Sequence, residues 1–341
     1  MSISRFRAAA AGLTSALFLS TILTACGGGS SGTPAIPATQ PNNGATLPAP
    51  SQGHIFSAQG EPVTEADRAA AGTATNLKRH IMLPVSTAKK TQSIVYPADL
   101  TYGGGPLLTH ATVWNIYVNS KPSDFGNPST FERNLGASSM IHITDQYVHV
   151  DANNRYTPGQ FDLIALYPTY TALADNDLLA ILHHFGQFIG GGYHNVYNIF
   201  LPKGIDVCET GLAACNASFT SPAPAFCAFH SSVDFQDIGH VLFTLEPFQE
   251  PAFCGVNALS GAKTTPNGVL NDSTYSTLSH ELFETITDPD PISGWFTGNV
   301  GVSGEIGDLC AYLPETQTLN GKAYYLQREY SNSVHGCSSA P

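Results

Sequence analysis

His280, Glu281 and Glu284 are the residues of this 341-residue chain whose types and spacing point most directly to chemistry. They fall within Ser279–Pro289, which reads Ser-His-Glu-Leu-Phe-Glu-Thr-Ile-Thr-Asp-Pro. An imidazole and a carboxylate four residues apart on a helix stand one turn apart on the same side, where both can grip one cation. A glutamate directly after the histidine is placed to take a proton from water polarised by that cation. Asp272-Ser273 supplies a start signal and Pro289 a stop, so the spacing predicts a helix between them. Tyr275, Leu278, Leu282, Phe283 and Ile286 form its expected core face, with His280 and Glu284 on the opposite side near Glu281 and Asp288. The competing interpretation is the solvated face of an ordinary amphipathic helix.

A Gly/Pro-rich loop leads from this helix to Gly304-Glu305-Ile306-Gly307-Asp308-Leu309-Cys310, a compact acidic turn beside a cysteine. The helix resembles the H-E-x-x-H helix of zinc peptidases with Glu284 in place of the second histidine. Glu305 follows Glu284 by 21 residues, the kind of separation found where a zinc peptidase uses a glutamate as third ligand. The expected metal set is therefore His280, Glu284 and Glu305, with Asp308 as the alternative to Glu305 and Glu281 as the base. Zinc is the expected ion. A carboxylate in place of an imidazole moves preference toward harder cations such as Mn²⁺ or Ca²⁺. Asp288 lies eight residues beyond His280, about 12 Å along a straight helix, too far to share its ion.

The elements that must position these residues belong to an exported chain. Arg5 and Arg7 precede an apolar run, Ala8–Leu23, too short to span a bilayer. Leu23-Thr24-Ala25-Cys26 follows and resembles the bacterial lipobox, which implies cleavage before Cys26 and a lipid on its sulfur. Gly27 is not the aspartate associated with inner-membrane retention, so the expected address is the outer membrane. Loss of residues 1–25 removes two arginines and no acid, leaving 12 basic against 26 acidic residues. With no Lys/Arg cluster beyond Lys89-Lys90, nucleic acid is not an expected partner. Six cysteines remain after Cys26, an even number that in an exported chain reads as three disulfides. Cys310 and Cys337, which flank the expected last strand Ala323–Tyr330, are expected to pair. Cys208, Cys215, Cys227 and Cys254 pair among themselves in an order the spacing leaves open.

Residues 26–75 read as a lipidated cysteine and tether, uncharged through Gly53, with a short helix possible over Glu61–Ala71. The globular domain is expected over 76–341. Strands are expected at Ser93–Tyr96, Thr112–Val118, Met140–Val150, Phe161–Tyr167, Asn195–Leu201 and Val241–Leu245, and a long helix at Ala172–Phe188. The fold class is α+β: a single zincin-like, loop-rich, disulfide-bonded domain with a mixed sheet, one long helix and one metal-site helix. His183, His184, His194, His230 and His240 read as hydrogen-bonded core or surface residues before they read as ligands. There is no Gly-x-Ser-x-Gly elbow and no phosphate loop.

Three blocks in order resemble the phosphate-induced, EXORDIUM-like family. They are Tyr102–Thr109 with the Trp114 strand, then Phe200–Cys208 with Phe226–His230, then Ser279–Pro289 with Trp295 and Glu305–Cys310. Plant members are secreted wall proteins without a settled activity, so the resemblance implies export more firmly than it implies chemistry. Two functions follow. One is an envelope lipoprotein with a metallopeptidase-like hydrolase site, its substrate a peptide by analogy or a cell-surface polymer. The other is a non-catalytic envelope protein that binds a wall or surface polymer and keeps a structural cation at the same acidic cluster.

Overall fold

The computed structural model describes residues 54–85, 99–150, 155–168, 172–209, 214–216, 225–249, 253–297 and 304–341. The expected signal segment, Cys26, the expected tether through Gly53 and the strand expected at Ser93–Tyr96 lie outside them.

Alternation along the strands organises the fold. In Ala228–Phe235, Phe229, Val233 and Phe235 face one side, while His230, Ser232 and Asp234 face the other. Gly239–Glu246 divides in the same way into Val241, Phe243 and Leu245 against Thr244 and Glu246. The apolar sets join Ile116, Val118, Tyr197 and Ile199 in one core with Leu178, Ile181, Leu182 and Phe185 of the helix Asp175–Ile189. The opposite face is buried too, yet it carries Asn115, Asn198, Thr244, Glu246 and His230. The helix Val269–Thr287 packs over that polar face.

These strands belong to a mixed eight-stranded sheet. Glu61–Pro62, Leu163–Leu166, Ala111–Val118, Asn195–Phe200 and Gly239–Glu246 are neighbours in that order and run parallel. Ala228–Phe235 and then Thr75–Met82, at the edge, continue antiparallel. Tyr156–Pro158 pairs beside Ala111–Val118. The C-terminal hairpin Pro314–Leu319/Lys322–Gln327 lies against the far side of the Val269–Thr287 helix. The architecture is α+β with a mixed sheet, as the sequence predicts.

Several expectations need correction. The helix begins at Val269 rather than at Asp272, and its residues from Asp272 to Thr287 are all buried, so it has no solvated face. Sheet and hairpin enclose it from two sides. Four of its hydroxyls are satisfied inside: Ser273, Thr277, Thr285 and Thr287 donate to carbonyls four residues back, at 2.6, 2.8, 2.7 and 3.0 Å. Met140–Val150 is not a strand but a 3-10 turn, Met140–Thr144, running into a helical turn, Asp145–Val148. Its buried Met140, Ile143, Thr144, Tyr147 and Val148 follow helical spacing, which outweighs their β-forming side chains. Folded structure also starts before residue 76. Glu61–Pro62 is a strand and Glu65–Ala71 a helix closed by a Thr64/Asp67 capping box, and Val63 and Ala71 enter the main core.

Cys310 is bonded to Cys337 and Cys227 to Cys254, with Cα–Cα distances of 5.7 and 5.3 Å. Cys208 is also disulfide-bonded. It stands opposite Cys215 in the ladder between Asp206–Glu209 and Ala214–Asn216.

The polar face makes one stability prediction. Glu132 is fully buried and accepts from Asn115 Nδ2 and Asn198 Nδ2, both at 3.0 Å. Burial pushes its carboxyl up to about 8. A carboxyl raised in the folded state stabilises below its unfolded value and loses that contribution as pH rises through the folded one. Denaturant midpoints should therefore fall as pH rises from about 4.5 to about 8, and Glu132→Gln, which has no proton to lose, should flatten that decline. Equal slopes in the two proteins would contradict the assignment.

Candidate metal centre

Three histidines and four carboxylates from four segments meet between the sheet and the Val269–Thr287 helix. The helix contributes His280, Glu281 and Glu284. His230 comes from Ala228–Phe235, and His80, its direct register partner on the edge strand, stands beside it with ring centroids 5.7 Å apart. Glu305 and Asp308 come from the turn after the loop. The helix spacing holds His280 Nε2 3.0 Å from Glu284 Oε1, and Asp308 Oδ1 lies 3.6 Å from the same nitrogen. His230 Nδ1 is 3.3 Å from Glu284 Oε2 and 3.5 Å from Glu281 Oε2. His80 Nδ1 is 3.1 Å from Glu305 Oε1, and His230 Nε2 is 3.5 Å from Glu305 Oε2.

Among the described residues, three sets have ligand atoms close enough together to hold an ion: His280/Glu284/Asp308, His80/Glu284/Glu305 and His230/Glu281/Glu284. Glu284 belongs to all of them. Of the two acids considered for third ligand beside His280, Asp308 is the one that lies beside it, and Glu305 instead meets His80 and His230. Glu281 lies within the cluster rather than at its border. Asp288 stays out, its carboxylate accepting from the amides of Ile292, Ser293 and Gly294 at 2.8, 3.0 and 2.6 Å. That grip turns the chain sharply after the helix.

Ligation geometry can be tested on these distances. Bonds of about 2.0–2.2 Å in a tetrahedral site put ligand atoms about 3.3–3.6 Å apart, and the separations of 3.0–3.6 Å lie close to that. Orphaned atoms point the same way. His230 Nδ1, His280 Nε2, Glu284 Oε2 and both oxygens of Glu281 and Glu305 are buried without a hydrogen-bond partner. Such atoms are costly to bury unless an ion or proton satisfies them. The residues fit a divalent cation.

Protonation responds to the crowding. Burial, reinforced by repulsion from Glu284, pushes Glu281 and Glu305 well above the usual carboxylate range. Burial works against charged His80, yet attraction to Asp308 prevails and raises it to about 9. Glu284 goes the other way: burial opposes its charge, but His280 holds it below the ordinary range.

Comparison with family models, with curated proteins and with solved structures returned no match. The centre must be read from its own residues.

Supporting contacts fix the ligands. The Asp308 backbone N–H donates to Glu284 Oε1 at 3.2 Å. Gln327 Nε2 lies 3.0 Å from His280 Nδ1 and donates to Gly307 O at 3.1 Å, while Gln327 Oε1 is buried without a partner. Ligation through His280 Nε2 requires Nδ1 to donate. A half-turn of the Gln327 amide supplies the acceptor at the expense of the bond to Gly307. Gly307 itself must lack a side chain, because a Cβ there would sit 2.7 Å from His280 Nδ1. Gly307→Ala is expected to cost about 1–3 kcal/mol, the range for overpacking, and to weaken metal binding in the same protein. A variant with native stability and native metal affinity would contradict this packing.

His80 and His230 are the residues the sequence reading left out of the metal set. Their strands, Thr75–Met82 and Ala228–Phe235, were not anticipated. For His230 the signal was its place in the Phe226–His230 block, and for both it was alternation: His80 and Met82 on one strand and Ala228, His230 and Ser232 on the other share a parity.

Proposed function

We propose that this chain is an exported, lipid-anchored, zinc-dependent hydrolase related to the EXORDIUM-like proteins, with peptide as its substrate class. The observation that carries the reading is Glu281: both its oxygens are buried without a partner, beside histidine and carboxylate sets spaced for a cation. His280, Glu284 and Asp308 hold the ion in this account. When bound, zinc polarises a carbonyl and makes water more acidic. Glu281 would take a proton from the attacking water, and burial with repulsion from Glu284 raises its affinity for that proton. That same carboxyl then returns the proton to the leaving nitrogen. Substrate approaches past His80, whose side chain is 15% exposed where those of His230, His280, Glu281 and Glu284 are fully buried.

That closure favours a second reading, because structural zinc sites are closed whereas catalytic ones keep an open position. The ion would then brace the sheet against the helix, and the domain would bind a wall or surface polymer. Assaying peptide hydrolysis by wild type and Glu281→Gln, with metal content measured in both, separates the two.

Export rests on the leader and lipobox, and disulfides agree with an oxidising compartment. Cys26→Ser should move the protein from detergent-extracted membranes to the soluble fraction, since the lipid leaves with the thiol. Continued membrane fractionation would overturn the anchor.

A further inference from the structure

We infer that the centre takes two divalent cations that share Glu284, an inference that rests on the metal-centre reading above. One ion sits with His280 and Asp308, the other with His80 and Glu305, and Glu284 completes both sets. Glu281 stays outside both and keeps its proton-taking role.

The cluster holds more buried donors than one ion can use. Glu281, Glu284, Glu305 and Asp308 are almost wholly buried, and their ion-pair partners are imidazoles. A tetrahedral ion takes four ligands, and these donors fall into separate sets around Glu284 rather than one. A second cation uses the set that the first leaves empty.

His80 gives the independent geometric reason. Its Nε2 lies 2.6 Å from Asp308 Oδ2, a hydrogen-bond distance too short for two ligands of one ion. That nitrogen carries a proton donated to Asp308. With Nε2 engaged by Asp308, Nδ1 is the ring atom left to face Glu305 Oε1, at 3.1 Å. Both oxygens of Glu305 are buried without a hydrogen-bond partner. A cation between the two side chains would satisfy both. The Asp308 carboxylate thereby serves both ions: Oδ1 faces His280 Nε2, and Oδ2 orients His80.

The full lipidated chain, purified in detergent and stripped with chelator, is to be titrated with Co²⁺ and followed by metal content and electron paramagnetic resonance. The expected result is two Co²⁺ per chain, with the signal of the first ion attenuated by spin coupling as the second loads. His80→Ala, on the partly exposed edge strand, should hold one Co²⁺ with an uncoupled signal, and His80→Gln serves if the alanine variant does not fold. One Co²⁺ per native chain would overturn the shared centre and leave the single-ion reading standing. Failure to bind any Co²⁺ would remove both. Two uncoupled ions, with both retained in His80→Ala and His80→Gln, would place the second ion elsewhere and also overturn the inference.

Discussion

Glu281→Gln is expected to lower peptide hydrolysis about 10²–10⁴-fold, the usual contribution of a positioned general base, while leaving bound metal unchanged. The side chain keeps its size and loses only the ability to accept a proton. Because Glu281 is not one of the residues assigned to hold the ion, metal content separates chemistry from assembly. A parallel fall in metal content would show that Glu281 ligates through the set it forms with His230. Hydrolysis unchanged in the variant would remove it from the reaction and favour the structural-cation reading. The wild-type rate against a broad peptide mixture is the necessary reference.

Removal of the ion should have the largest effect on stability. Binding confined to the folded state stabilises by about 4 kcal/mol when free metal exceeds Kd about 1,000-fold, which moves Tm by roughly 10 °C in a domain of this size. Glu284→Ala should abolish the shift, because each of the three possible ligand sets contains Glu284. Stripped protein should also respond to pH in a defined direction. Glu281 and Glu305, raised by burial and then by their neighbour Glu284, contribute stability below the ordinary carboxylate range and lose it as pH rises through their folded values. The apo form should weaken as pH rises from acid toward neutral, and loading with Zn²⁺ should suppress that decline. An apo protein that gains stability over the same range would contradict the protonation scheme.

The parts visible in the sequence were those with local grammar. The i, i+4 pair His280/Glu284, the acidic turn at Glu305–Asp308 and the helix stop at Pro289 each declare themselves within a few residues. So do Thr112–Val118, Asn195–Leu201 and Val241–Leu245, found as Ala111–Val118, Asn195–Phe200 and Gly239–Glu246. What stayed hidden depends on partners distant in the chain. His80 and His230 are 150 residues apart and become neighbours through strand register alone. The polar side of the Val269–Thr287 helix looked solvated because nothing local shows that the Pro314–Gln327 hairpin and a polar sheet face will cover it. Asp308 displaced Glu305 as the partner of His280 because the turn presents them to different histidines, a distinction three residues of spacing cannot express.

The central claim is that this buried cluster holds a divalent cation, and the metal content of the mature chain, purified without chelator, tests it most directly. The account predicts at least one tightly held divalent ion per chain, whose removal lowers Tm and whose return restores it. A chain that emerges metal-free, with a Tm unmoved by either Zn²⁺ or chelator, would contradict it.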